Sequence, residues 1–164
     1  MKNAIKSISA EEDLAKNYLM NIEKYKVMID AKCKQFRELE KYTNLIGCKN
    51  LSSVYSSNTG ISKKTEEEAE KKVDLIIDIK ADIYKYMLLK NNIINDIYRT
   101  EDNRYISILL KKYVELKTLE QTAVAIGYSY ERARHLHKEA LRSIYAVIRK
   151  DKDKINKAKK YIKC

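Results

Sequence analysis

Proline and tryptophan are absent from the 164 residues, and only three glycines, three cysteines, two histidines and one phenylalanine occur. Cys33, Cys48 and Cys164 stand isolated, with no C-x-x-C spacing and no neighbouring histidine. That excludes a disulfide framework or a zinc site and leaves free thiols in a reducing compartment as the expectation. His135 and His137 are two residues apart in a segment that reads as helix, so their rings point apart and make no metal pair. With glycine this scarce there is no phosphate-cradling loop, no carboxylate pair departs from ordinary helix surface charge, and no cysteine has a base partner. The expectation is therefore a protein that is not an enzyme and takes no cofactor. No uninterrupted apolar run reaches the roughly 20 residues of a membrane span. The opening MKNAIKSISAEED lacks the apolar core of a signal peptide, so a soluble cytoplasmic protein is expected. Lysine, isoleucine, asparagine and tyrosine dominate instead, the usage of coding DNA rich in A and T.

What is present is charge, unevenly spread. The formal net charge is +11. Residues 1–100 hold 18 basic and 15 acidic side chains, residues 101–164 hold 16 and 8. The excess lies in the C-terminal part, as expected for a phosphate-binding surface, although a lysine-rich composition alone also makes a protein basic. Arginine is sparse, seven against 27 lysines, yet Arg132, Arg134 and Arg142 fall close together beside both histidines. A point charge holds a phosphate, but reading a guanine needs the bidentate fork that arginine has and lysine lacks.

Those residues sit in TLEQTAVAIGYSYERARHLHKEALRSI, Thr118 to Ile144, which reads as a helix-turn-helix. Thr118 and Gln121 have the spacing of a capping box at the start of the first helix. Leu119, Ala123 and Ile126 share a face. Gly127 can turn left-handed without steric cost, and Ser129 is placed to cap the second helix. In that helix Ala133, Leu136, Ala140 or Leu141, and Ile144 recur at helical spacing. Tyr130, Glu131, Arg134, His135, Lys138 and Arg142 are left to face outward. A preceding helix, starting after Asp102 or Asn103 and running through Leu109, Leu110, Tyr113 and Leu116, is expected to cover the back.

The segment resembles region 4 of bacterial sigma factors, whose usual run is TLEEIGKELGVSRERVRQIEKRALRKL, in ungapped register. In that family the recognition helix reads DNA through positions that fall here at Tyr130, Glu131, Arg134 and His135. Glu131 and Arg134 keep the family chemistry. Tyr130 replaces a usual arginine and His135 a usual glutamine, which implies a target other than the housekeeping promoter hexamer. Thr122 and Val124 each reverse the usual polarity. From about Glu11 to Ile148 the chain is also similar in pattern to the ArpU-type regulators of phages and prophages, most specifically at GYSYERARHLHKEAL. The resemblance implies a transcriptional regulator. Its candidate DNA contacts are Thr118, Gln121, Tyr130, Glu131, Arg134, His135, Lys138 and Arg142. Arg134 is the expected guanine reader and Glu131 accepts from a cytosine amino group, while Lys138 and Arg142 grip phosphates. The competing account of Glu131 and Arg134 is an ordinary i, i+3 ion pair. His137 is expected to be a surface or packing residue.

The first hundred residues carry another pattern. Ser9 with Glu12 opens a helix by capping-box spacing, and Tyr18, Ile22, Tyr25, Ile29, Lys32, Phe36, Leu39, Thr43 and Ile46 form a coiled-coil seam. Gly47 is the expected stop, and residues 47–62 are the expected loop. Thr65 with Glu68 opens a second helix whose seam is predicted through Val73, Ile77, Lys80, Tyr84, Met87, Asn91, Ile94 and Tyr98, widened by Ile76, Ile79 and Ile83. A helix of some 35 residues extends roughly 50 Å, which favours a projecting antiparallel hairpin. Lys32, Lys80 and Asn91 interrupt the seams, either fixing register or touching water at the edge.

The fold class expected is therefore all-α. It comprises a helical hairpin over 1–100 that oligomerises, a helix-turn-helix domain over 101–148 with recognition helix 130–144, and a basic tail over 149–164. The tail has eight basic and two acidic residues and either frays in solvent or runs along phosphates. The expected function is a DNA-binding regulator of promoters or operators. It is a homodimer through the N-terminal helices, works with RNA polymerase, and is located with the nucleoid. Two other classes stay open: a small-terminase-like DNA-packaging subunit, which would form a ring, and a polymerase- or sigma-binding module without DNA affinity.

Overall fold

The computed structural model describes the backbone of residues 2–50 and 63–160 and the side chains of 10–41, 67 and 70–156. Among these residues there is no strand, and the chain is all-α as expected. Seven α-helices follow one another: α1 (Lys2–Leu19), α2 (Asn21–Asn50), α3 (Lys63–Tyr98), α4 (Asn103–Leu109), α5 (Leu119–Ala125), α6 (Tyr130–Ile148) and α7 (Lys152–Lys160). A π-helical turn, Leu110–Val114, extends α4. Helix boundaries differ from the sequence reading, and α3 begins at Lys63, ahead of Thr65. α1 begins at Lys2, well before Ser9, and α2 passes through Gly47 to Asn50, because one glycine costs a helix only about 1 kcal/mol. The rest of the expected loop, 51–62, lies outside the described residues. No helix among the described residues is long and apolar enough to cross a membrane.

The chain forms two compact units. One comprises Met1–Lys24 with Met87–Cys164, the other Tyr25–Tyr86. The predicted boundary at residue 100 thus falls inside the first unit. Among the described residues all sixteen buried apolar side chains lie in that unit, among them Ala15, Tyr18, Leu19 and Ile22 from the N-terminal part and Ile93 and Ile97 from α3. The 4,3 spacing of the N-terminal helix is uninterrupted from Tyr18 to Leu39, so nothing in it marks where the packing partner changes. Backbone bonds from Met20 N–H to Lys16 C=O (2.9 Å) and from Lys24 N–H to Met20 C=O (3.2 Å) carry the ladder across the α1/α2 junction as one bent helix.

α6 is the centre of the first unit, packing against α1, α4 and α5, and α7 packs on α1. The inner stripe of α6 is the predicted one: Ala133, Leu136, Ala140, Leu141 and Ile144 are all buried, and Ile148 adds a further turn. Asp96 of α3, almost fully buried, accepts from the Tyr18 hydroxyl at 2.6 Å and from the Lys154 ammonium at 2.6 and 2.8 Å, with Arg99 Nη1 at 3.3 Å. Burial, then the hydrogen bond to Asp96, pushes the Tyr18 hydroxyl far above its ordinary pKa. One carboxylate therefore ties α1, α3 and α7 together. The basic tail is partly enlisted in this core rather than fraying from Arg149 onward.

In the second unit the α2 seam is as predicted where side chains are described. Tyr25, Ile29, Lys32, Phe36 and Leu39 are half-buried. The α3 seam is not. Val73, Ile77 and Tyr84 are 54%, 58% and 64% exposed, while Leu75, Ile79, Asp82 and Tyr86, two positions on, turn inward. α3 carries two apolar stripes with the same 4,3 spacing, and periodicity alone cannot choose between them. The inward stripe was hidden by Asp82, a buried carboxylate that pairs with Lys32 of α2 and lies 3.5 Å from Lys85 Nζ. The hydrogen bond between them holds Asp82 below the usual carboxylate range and Lys32 above its ordinary value. Lys32 is thus a seam partner, whereas Lys80 and Asn91 are exposed.

Candidate nucleic-acid interface

The helix-turn-helix is built by local chemistry that can be followed bond by bond. Thr118 Oγ1 accepts from Gln121 N–H at 3.2 Å, and Gln121 Oε1 accepts from Thr118 N–H at 3.0 Å, a complete capping box. Thr122, one of the two polarity reversals, is fully buried, and its hydroxyl donates to Thr118 C=O at 2.8 Å, so the helix itself satisfies the polar group. After α5, Gly127 adopts φ 71°. Tyr128 N–H then reaches Ala123 C=O at 3.0 Å and Gly127 N–H reaches Val124 C=O at 3.2 Å, the two bonds of a Schellman ending. Ser129 caps α6 by accepting from Arg132 N–H at 3.3 Å.

This scaffold sorts the predicted contact residues into three groups. Tyr130, Glu131, Arg134, His135 and Lys138 lie exposed on the side of α6 opposite its buried stripe. Arg134 Nη1 lies 3.9 Å from Glu131 Oε2, a long i, i+3 pair with side chains 57% and 70% exposed, which is weak enough to exchange for another partner. Thr118 and Gln121 are exposed but occupied as caps. Arg142 points elsewhere: its Nε donates to Glu12 Oε1 of α1 at 2.8 Å, with about half of its side chain still open to solvent.

His137 turns away from that exposed row. Its Nε2 lies 2.9 Å from the Tyr113 hydroxyl, with the two rings stacked at 5.8 Å. Burial lowers its pKa to about 4, helped by the charges of Lys112 and Lys16, so the ring is neutral at pH 7. Burial likewise pushes the Tyr113 hydroxyl up.

Val124, Tyr128 and Arg132 are exposed here too and were not among the sequence candidates. Val124, the second polarity reversal, is 82% exposed on α5, beside the turn that carries Tyr128 (38%) and Tyr130 (46%). Arg132 is exposed in the first turn of α6, where the helix dipole disfavours a cation. A basic residue at that end does nothing for the helix and suits a phosphate. The signal in the sequence was that same misplaced charge. Among the described residues no group of three metal-ligating side chains occurs, and Cys33 is a half-buried free thiol. No family model, no curated protein and no solved structure matches the chain.

Proposed function

We propose that this protein is a sequence-specific double-stranded DNA-binding transcriptional regulator of phage or prophage type, resembling sigma region 4 in its reader and ArpU-type regulators in its pattern. α6 enters the major groove of promoter or operator DNA. The observation that carries this reading is the division of α6 into a fully buried stripe and an outward row of Tyr130, Glu131, Arg134, His135 and Lys138 on a capped turn. Arg134 reads a guanine edge, Glu131 a cytosine amino group, and Lys138 and Arg132 hold phosphates. Arg142 joins them only by exchanging Glu12 for a phosphate. The protein acts as a homodimer in the cytoplasm, at the nucleoid, together with RNA polymerase.

Selection from a random duplex library at near-physiological salt tests this. The expected result is one enriched motif, with Arg134→Ala relaxing preference at one or two positions by about 1–3 kcal/mol. Absence of any enriched motif would sink it. A second reading, a polymerase- or sigma-binding module without DNA affinity, draws on the apolar exposure of Val124, Tyr128 and Tyr130. It requires polymerase capture that Val124→Asp abolishes.

A further inference from the structure

We propose that the outward stripe of α3, running through Val73, Ile77, Lys80 and Tyr84, is the face on which a second copy of this chain packs antiparallel. This rests on the dimeric part of the reading above but not on DNA recognition. Three observations converge. First, the unit Tyr25–Tyr86 buries no apolar side chain among its described residues, and Asp82 is its only buried one. A pair of helices in that state lacks the core that holds helical bundles together, and a second pair would supply it.

Second, the stripe keeps the 4,3 spacing of a helix meant for another helix, yet Val73, Ile77 and Tyr84 are each more than half exposed, and Ile83 beside them is 39% exposed. Four such side chains, at about 150–200 Å² each, offer on the order of 400 Å² of apolar surface per copy. A standard interface takes about 800 Å² per partner, with apolar atoms supplying some 56–65% of it. The apolar contribution is therefore of the right order once flanking residues are added.

Third, the charges beside the stripe complement themselves in one direction only. Asp74 lies toward its start and Lys85 toward its end on the same flank, both exposed. A two-fold axis near Ile79 sets Asp74 near Lys85 of the copy and Val73 against Tyr84. A parallel copy stacks like on like. Lys80 lies within the stripe, where its apolar stem packs and its ammonium reaches the acidic flank.

Light scattering or sedimentation of the full chain without DNA tests the proposal. The expected mass is that of a dimer. Ile77→Glu with Tyr84→Glu weakens association about 30-fold or more while leaving helicity unchanged, since both side chains are solvent-exposed within one chain. Asp74→Lys weakens it as well, and adding Lys85→Glu to the same chain restores it only in the antiparallel arrangement. A wild-type monomer overturns the dimer altogether. A dimer unmoved by the Ile77 and Tyr84 substitutions overturns this face, and failure of the charge swap to restore association overturns the antiparallel pairing. None of these outcomes depends on DNA binding, which the Arg134 variant reports separately.

Discussion

His135 and His137 sit two positions apart on one helix, and that offset of about 200° is enough to give one ring to solvent and the other to the core. For His137 the consequence is a stability that depends on pH. Its folded-state pKa of about 4 is below the ordinary 6.5, so on acidification the unfolded chain takes up this proton first. The stabilisation is fully present above about pH 6.5 and drains away as pH falls toward 4. The shift corresponds to at most about 3 kcal/mol. Urea midpoints measured across this range should show wild type falling relative to His137→Phe as pH falls, because Phe keeps the stack on Tyr113 without a proton to bind. A difference between the two proteins that does not change with pH would count against the buried neutral ring. Gly127 makes the opposite kind of demand. A Cβ there meets nothing within 4 Å, so space is no obstacle and only φ 71° resists it. Gly127→Ala should then cost about 1–2 kcal/mol, seen as a lowered Tm with the fold retained. No measurable loss would mean the turn is not held left-handed.

At the scale of elements, Asp96 decides how α1, α3 and α7 meet. Its carboxylate is nearly inaccessible, and Lys154 is the ammonium closest to it. Removing the cation alone, by Lys154→Met, leaves a buried carboxylate with Tyr18 and the largely exposed Arg99 at 3.3 Å, and should cost about 3 kcal/mol. Asp96→Leu with Lys154→Met together should cost less than the single change, since no buried charge remains. Denaturant unfolding of the three variants checks the order, and a double variant less stable than Lys154→Met would refute it. None of this network is visible in the chain, because an aspartate 58 residues from its lysine carries no local signature. What was legible was whatever is encoded within one or two turns. That covers the Thr118–Gln121 box, the Gly127 turn, the Ser129 cap, the buried stripe of α6 and most of its outward row. What was not legible needs partners distant in sequence: which of two stripes on α3 turns inward, where Arg142 points, and that α1 belongs with α6. The continuous 4,3 spacing of the N-terminal helix reads the same whether its partner is α3 or α6.

For the molecule as a whole, the unit that carries the helix-turn-helix is assembled from both ends of the chain. A fragment cut at the boundary the sequence suggests, residues 101–164, loses Ala15, Tyr18, Leu19, Ile22, Ile93 and Ile97 from its core. At about 1.5–3 kcal/mol for each large side chain, the loss is on the order of 10 kcal/mol. That equals the whole stability of an ordinary domain, about 5–15 kcal/mol, so the fragment should not fold. Met1–Lys24 joined to Met87–Cys164 by a short flexible linker keeps every apolar residue that is buried among the described residues and should fold. The Tyr18–Asp96 hydrogen bond already sets the two segments side by side within this unit, so the linker need not span far. Thermal melts followed by circular dichroism distinguish the two: a cooperative transition for the joined protein and none for the fragment. The joined protein also lacks the exposed α3 stripe from Val73 to Tyr84, so it should sediment as a monomer while keeping the base preferences of the full chain. A cooperative fragment 101–164 would show that α1 is dispensable and that the reader is the smaller domain its local pattern describes.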